Sequence, residues 1–208
     1  AYKVKHYDTS TDHILWSADN SLRNLQTDHI DLLLIHRPDP LMDADEVAEA
    51  FTRLRQSGKV AHFGVSNFAP WQFDLLQSRL DFPLVTNQVE FSVMHLEPLH
   101  DGTLDQCQQR RIAPMAWSPL AGGSFFNADD DRTQRVHDAM QAISAELGGT
   151  PFDQIALAFI TLHPARILPV LGTGKLERIQ SAVDASKITL TRQQWFTLWQ
   201  ASFGRRVP

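Results

Sequence analysis

"LLLIHRPDP", Leu32–Pro40, is an apolar run that ends abruptly on polar and ring-constrained residues. Four apolar residues, Leu32 to Ile35, run without a break into His36, Arg37, Pro38 and Asp39. A short continuous apolar run reads as a strand covered on both faces, as in a parallel sheet flanked by helices. The strand stops on an imidazole, which puts a group able to carry or donate a proton near neutral pH at its C-terminal end.

The same punctuation recurs along the chain. Before the run, Ile14, Leu15, Ala18, Leu22 and Leu25 fall at helical spacing behind Thr11 or Asp12 as caps. After it, Asp43 with Glu46 resembles a capping box, Val47, Ala50, Phe51 and Leu54 form a helix face, and Gly58 closes that helix. Further strands are expected at 60–65, 84–89, 112–117 and 167–171. Between and after them, helices are expected from Asn67 and Pro70 onward and over 103–110, 133–147, 151–162, 175–185 and 192–203, the last capped by Thr191. Strands alternating with helices make parallel βαβ units.

An open doubly wound sheet and a (β/α) barrel both fit that order. No G-x-G-x-x-G follows any strand, which weakens the dinucleotide-binding open sheet. Polar residues cluster at successive strand ends: His36, then Ser66 and Asn67, Gln88 and Glu90, Trp117 and Ser118, and the run Gly172 to Lys175. Barrel enzymes build their sites at that face, so the expectation is a barrel.

The bulk numbers bound what such a molecule does. A chain of 208 residues, 43% hydrophobic and 21% charged, is expected to form one globular domain over 1–208. A net charge of -5 argues against a surface built for nucleic acid. Cys107 is the single cysteine, so no intrachain disulfide forms, and its helical context suggests a small core residue. The nine histidines show no metal-type pair on one helix face. No apolar run approaches the ~18 residues that a membrane span needs. With no signal peptide legible, the expectation is a cytoplasmic protein without a membrane partner.

Each strand end has a chemical and a structural reading. Ser66, Asn67 and Gln88 offer both donors and acceptors, the mix that a primary carboxamide such as that of nicotinamide requires. Alternatively, Asn67 caps the following helix, Gln88 satisfies loop carbonyls, and His36 is held by Arg37 or Asp39. Trp117, in "PMAWSPLAGG", presents a flat face for stacking or is a rim residue. "LGTGKLERI", Leu171–Ile179, joins the last strand to a helix whose N-terminus favours an anion, with Lys175 and Arg178 adding charge. It is otherwise an ordinary turn with two solvated cations.

In this order and spacing, "DLLLIHRPD", "GKVAHFGVSNF", "TNQVEFS", "PMAWSPLAGG" and "LPVLGTGKLERI" resemble the aldo-keto reductase family. The resemblance implies a (β/α)8 barrel of the TIM type that reduces aldehydes and ketones, small-molecule carbonyl substrates, with NADPH. It implies that His36 orients the substrate carbonyl and that Ser66, Asn67 and Gln88 hold the nicotinamide carboxamide. Trp117 falls where the family usually has a tyrosine stacked on the nicotinamide, a departure that keeps the stacking face. Ser118 and Leu120 match positions along the pyrophosphate. Gly172, Thr173, Gly174, Lys175 and Arg178 match the loop around the adenosine 2′-phosphate, which favours NADPH.

The family's catalytic set is an aspartate, a tyrosine, a lysine and the histidine, and by the family's plan the first three precede the first helix seen here. The expectation is therefore a truncated barrel with five of eight strands, inactive as it stands or a fragment of an active parent. Tyr2, Lys3, Lys5, Tyr7 and Asp8 are of the right types but in the wrong order, and read as loop residues. Open strand edges would invite pairing with another chain, hence self-association. Two other readings remain: a non-catalytic NADP-binding or interaction protein that keeps the cleft, and a phosphate-binding barrel of unrelated chemistry.

Overall fold

The computed structural model describes residues 4–206. The chain divides into two compact units, Ala1–Gln88 and Val89–Pro208.

The first unit is built on α1 (Thr11–Leu25), β1 (Ile30–Ile35), α2 (Ala44–Gln56), β2 (Val60–Ser66), α3 (Pro70–Gln77) and β3 (Leu84–Glu90). Its strands are parallel, with Leu34 opposite Gly64, Ile35 opposite Val65 and Ser66 opposite Gln88. Phe51 of α2 stacks on Phe63 of β2 at 4.2 Å between ring centres, and both are fully buried. Gly64 is where the sheet is tightest. A Cβ there would lie 2.7 Å from Leu34 Cδ2 and 2.8 Å from the Thr86 carbonyl oxygen, so only glycine fits.

Several local expectations are corrected in this unit. The cap of α1 is Ser10, whose Oγ accepts from His13 N; Thr11 and Asp12 lie in the first turn. Asp43 caps α2 by accepting from Asp45 N, but Glu46 closes no capping box. Its carboxylate accepts from Thr11 N at 3.3 Å, and its carbonyl from Thr11 Oγ1 at 2.9 Å, so it ties α1 to α2 instead. The helix that Asn67 was expected to open is capped at Ala69, with Pro70 in its first turn. β1 is also not covered on both faces. Leu32, Leu33 and Leu34 are half-buried and only Ile35 is buried, and among the described residues β1 pairs with β2 alone.

The second unit carries α4 (Thr103–Arg110), β4 (Met115–Trp117), α5 (Ser124–Asn127), α6 (Asp131–Glu146), α7 (Phe152–Thr161), β5 (Leu168–Pro169), α8 (Leu176–Ala185) and α9 (Arg192–Phe203). Its core packs Phe91, Phe125, Met140, Phe159 and Leu198. β4 and β5 are parallel but shorter than the apolar runs that encode them. Pro114 and Pro169 lack the N–H that would extend a ladder, and Arg111 turns the chain with φ 57° just before β4. α6 begins at Asp131, capped by Asp130 through Arg132 N and Thr133 N, two residues earlier than its apolar face suggests. α9 has the expected start, with Thr191 Oγ1 accepting from Gln194 N and Gln194 Oε1 accepting from Thr191 N. Cys107 is a core residue of α4, and burial pushes its thiol up to about 12, so it stays protonated at neutral pH.

Candidate active site

In the first unit, three parallel strands end side by side and their last residues meet. Ser66, the final residue of β2, is buried and donates its hydroxyl to the carbonyl of Gln88 at 2.8 Å. The Asn67 backbone N–H donates to the same carbonyl at 2.8 Å. The Asn67 side-chain Nδ2 donates to Ser66 Oγ at 2.9 Å and to the carbonyl of His36 at 3.4 Å. His36, Ser66, Asn67 and Gln88 thus form one hydrogen-bonded cluster at the C-terminal ends of β1, β2 and β3.

Local structure dictates this arrangement. Asn67 sits at φ 60°, a left-handed conformation that asparagine tolerates better than most residues. That turn takes its side chain back toward β1, away from the helix cap it would otherwise make. The loop is clamped by a residue the sequence did not single out. Asn87 is fully buried; its Nδ2 donates to the Phe68 carbonyl at 2.7 Å and its Oδ1 accepts from Phe68 N at 3.4 Å. A side chain there copies a strand's pairing, so the loop needs no ladder of its own. With Asn87 in that role, the half-buried Gln88 carboxamide makes no hydrogen bond among the described residues. His36, the residue that follows β1, is exposed.

In the second unit, two candidate groups leave neighbouring strands. Val170 N donates to the Ala116 carbonyl at 2.8 Å, so the ends of β4 and β5 run together. Trp117 and Ser118 are half-buried at the end of β4, and Ser118 turns the chain at φ 50°. A tight loop follows. Ser118 O accepts from Ala121 N at 2.8 Å, Leu120 O accepts from Gly123 N at 2.7 Å, and the chain winds into α5. Beyond β5, Thr173 Oγ1 accepts from Lys175 N at 3.2 Å, which shapes the entry to α8. Lys175 and Arg178 are exposed and form no ion pair among the described residues. A Cβ at Gly172 or Gly174 would meet nothing within 4 Å, so the chain's own packing does not demand glycine at either place.

Of the N-terminal residues with catalytic-type side chains, Tyr2 and Lys3 lie outside the described residues. Tyr7 and Asp8 precede α1 as loop residues, and Asp8 Oδ1 accepts from Ser10 N at 3.0 Å. Among the described residues no group of three or more His, Cys, Asp or Glu side chains is arranged to hold a metal ion. No helix among them is long and apolar enough to cross a membrane.

Comparison with known proteins agrees with this architecture. The sequence pattern of the aldo/keto reductase family matches residues 1–202. The chain is 56% identical over 205 residues to the oxidoreductase YdhF of Escherichia coli, covering 99% of this chain and 68% of that protein. It is 49% identical over 205 residues to a 6-dehydroglucose reductase of Agrobacterium fabrum, covering 99% of this chain and 68% of the reductase. Among solved structures, a thermostable aldo-keto reductase, Tm1743, in complex with the inhibitor epalrestat superposes with a TM-score of 0.83 at 26% identity, over 93% of this chain and 67% of that one. The fold class is therefore the α/β barrel of that enzyme type, represented here by parallel strands alternating with helices. Identity at this level along nearly the whole chain, with the same fold, makes the assignment: the chain belongs to the aldo/keto reductase family, a family of oxidoreductases.

Proposed function

We propose that this chain binds NADPH and serves the reduction of a small aldehyde or ketone, with His36 orienting the carbonyl. The observation that carries the proposal is the cluster at the ends of β1, β2 and β3, where Asn67 bonds to both His36 and Ser66 and Ser66 bonds to Gln88. NADPH, when bound, supplies the hydride. The chain's own residues bind and orient.

The polar groups present fit that cofactor. The Gln88 carboxamide, without a hydrogen-bond partner among the described residues, can donate to and accept from the nicotinamide carboxamide, while Ser66 and Asn67 fix the backbone around it. Trp117 offers its ring as a stacking face, and the turn at Ser118 and Leu120 presents backbone groups to a pyrophosphate. Open space beside Gly172 and Gly174, with Thr173 shaping the turn, leaves room for a phosphate at the start of α8. Lys175 and Arg178, lacking carboxylate partners among the described residues, supply the charge that a 2′-phosphate needs and that NADH would not use. His36 can donate a hydrogen bond to a carbonyl oxygen from an exposed position. The relative named for 6-dehydroglucose reduction supports sugar aldehydes as the substrate class. The side of β1 that pairs with no strand among the described residues supports self-association, which sedimentation velocity would detect.

The test is a fluorescence titration of the purified chain with NADPH and with NADH. NADPH should bind about tenfold more tightly or better, and Lys175→Gln with Arg178→Gln should remove that preference while leaving NADH unchanged. Equal affinity for both nucleotides in the unaltered chain would refute the 2′-phosphate assignment. Steady NADPH oxidation with 4-nitrobenzaldehyde then separates a reductase from a protein that only holds the cofactor.

A further inference from the structure

A cavity of about 380 Å³ opens in the first unit between the segment before α1 and the end of β1. That volume is at the low end of the ~300–1,000 Å³ typical of small-molecule sites. One wall is apolar, made by Leu33, Leu34 and Ile35; Tyr7, Asp8, His13, His36 and Arg37 are among the polar residues that also line the cavity. Tyr7 belongs to no helix or strand, yet its segment is not free to wander. Thr9 Oγ1 donates to Asp39 Oδ2 at 3.2 Å, which binds the segment to the loop that follows His36. Asp39 is itself fixed, because its Oδ1 accepts from Leu41 N at 2.9 Å. Thr11 is tied to Glu46 of α2 through both its N–H and its hydroxyl. The phenol of Tyr7 is 46% exposed and its hydroxyl has no hydrogen-bond partner among the described residues.

We infer that Tyr7 is a specificity-determining residue whose hydroxyl bonds to a hydroxyl group of the substrate, so that the site prefers hydroxylated carbonyl compounds to plain alkyl ones. The inference rests on the proposed role of His36 at the carbonyl. A ligand seated with its carbonyl at His36 lays its carbon skeleton against Leu33 to Ile35 and brings a hydroxyl on a neighbouring carbon to the Tyr7 side. No proton is transferred to or from Tyr7. A ligand of the same shape with a methyl group in that place forgoes the hydrogen bond and binds more weakly by that bond's net worth.

Hydroxyacetone and 2-butanone form the test pair, since they differ by a hydroxyl in place of a methyl. Each is titrated into the full chain carrying 13C-labelled histidine, and the His36 ring resonance, assigned by its loss in His36→Ala, is followed by NMR. Hydroxyacetone should half-saturate the shift at a concentration at least about fivefold lower than 2-butanone. In Tyr7→Phe the two should become equal, with the melting temperature unchanged because Tyr7 is exposed. A preference that survives in Tyr7→Phe, or is missing from the unaltered chain, overturns the Tyr7 assignment and leaves the carbonyl role of His36 standing. If neither ketone moves the His36 resonance, both assignments fall.

Discussion

His36 is exposed at the end of β1, so its stability and its chemistry separate cleanly. His36→Ala should alter unfolding free energy by no more than ~0.5 kcal/mol, as for most surface positions. If the chain turns over NADPH with His36 orienting the carbonyl, as we propose, the same change should cut that turnover by about a hundredfold, since losing a group that orients a reactant has effects of that order. A thermal melt and a steady-state assay on one preparation check both halves. His163 makes a different kind of residue-scale prediction. Its ring is half-buried, its Nδ1 accepts from Ala165 N at 3.2 Å, and burial lowers its pKa from the usual 6.5 against a smaller opposing effect of Asp105. Well above pH 6.5 the imidazole is neutral in both folded and unfolded chains, and its contribution to stability is complete. As the pH falls below that value, the unfolded chain takes up a proton that the folded one resists, and stability drops. The melting temperature should therefore fall between about pH 7.5 and 5.5, and fall less in His163→Gln, in melts followed by tryptophan fluorescence.

At the scale of elements, the sheet of the first unit depends on a glycine that hydrophobic patterning does not flag. A methyl at Gly64 would collide with Leu34 on one neighbouring strand and Thr86 on the other. Gly64→Ala should cost about 1–3 kcal/mol in urea unfolding, the usual penalty for overpacking. The helices were largely legible because their signals are local. α4 has the boundaries that its periodicity indicates, and α9 those that its periodicity and its Thr191 cap indicate, since that cap joins residues three positions apart. β4 and β5 were less legible. A strand's extent depends on which N–H groups find a partner across the sheet, and Pro114 and Pro169 remove donors from runs that otherwise read as six and five residues. Asn87 was missed for the same reason. Its sequence neighbours mark it as a mid-strand residue, and only the fold reveals that its carboxamide clamps Phe68, twenty positions back less one, and with it the loop that aims Asn67.

For the whole molecule, cofactor binding and folding are linked. A ligand that binds only the folded chain adds ~2.7 kcal/mol at a hundredfold excess over its Kd. If residues 1–208 act as one domain, as we propose, calorimetry should show a single transition that NADPH moves upward as a whole; a shift confined to one of two transitions would divide the chain. By itself, the sequence determined the parallel strand–helix alternation, the family, and the set of polar residues at the strand ends, because these follow from periodicity, caps and short motifs. Which of those residues meet depends on the folded chain. It turned Asn67 back to His36 and Ser66, freed the Gln88 carboxamide by giving its loop-holding task to Asn87, left β1 half-covered, and set Tyr7 beside His36 in one cavity. The reason is physical: each of these outcomes is a contact between residues far apart in the chain, and such contacts depend on register, turn geometry and packing that no local stretch encodes.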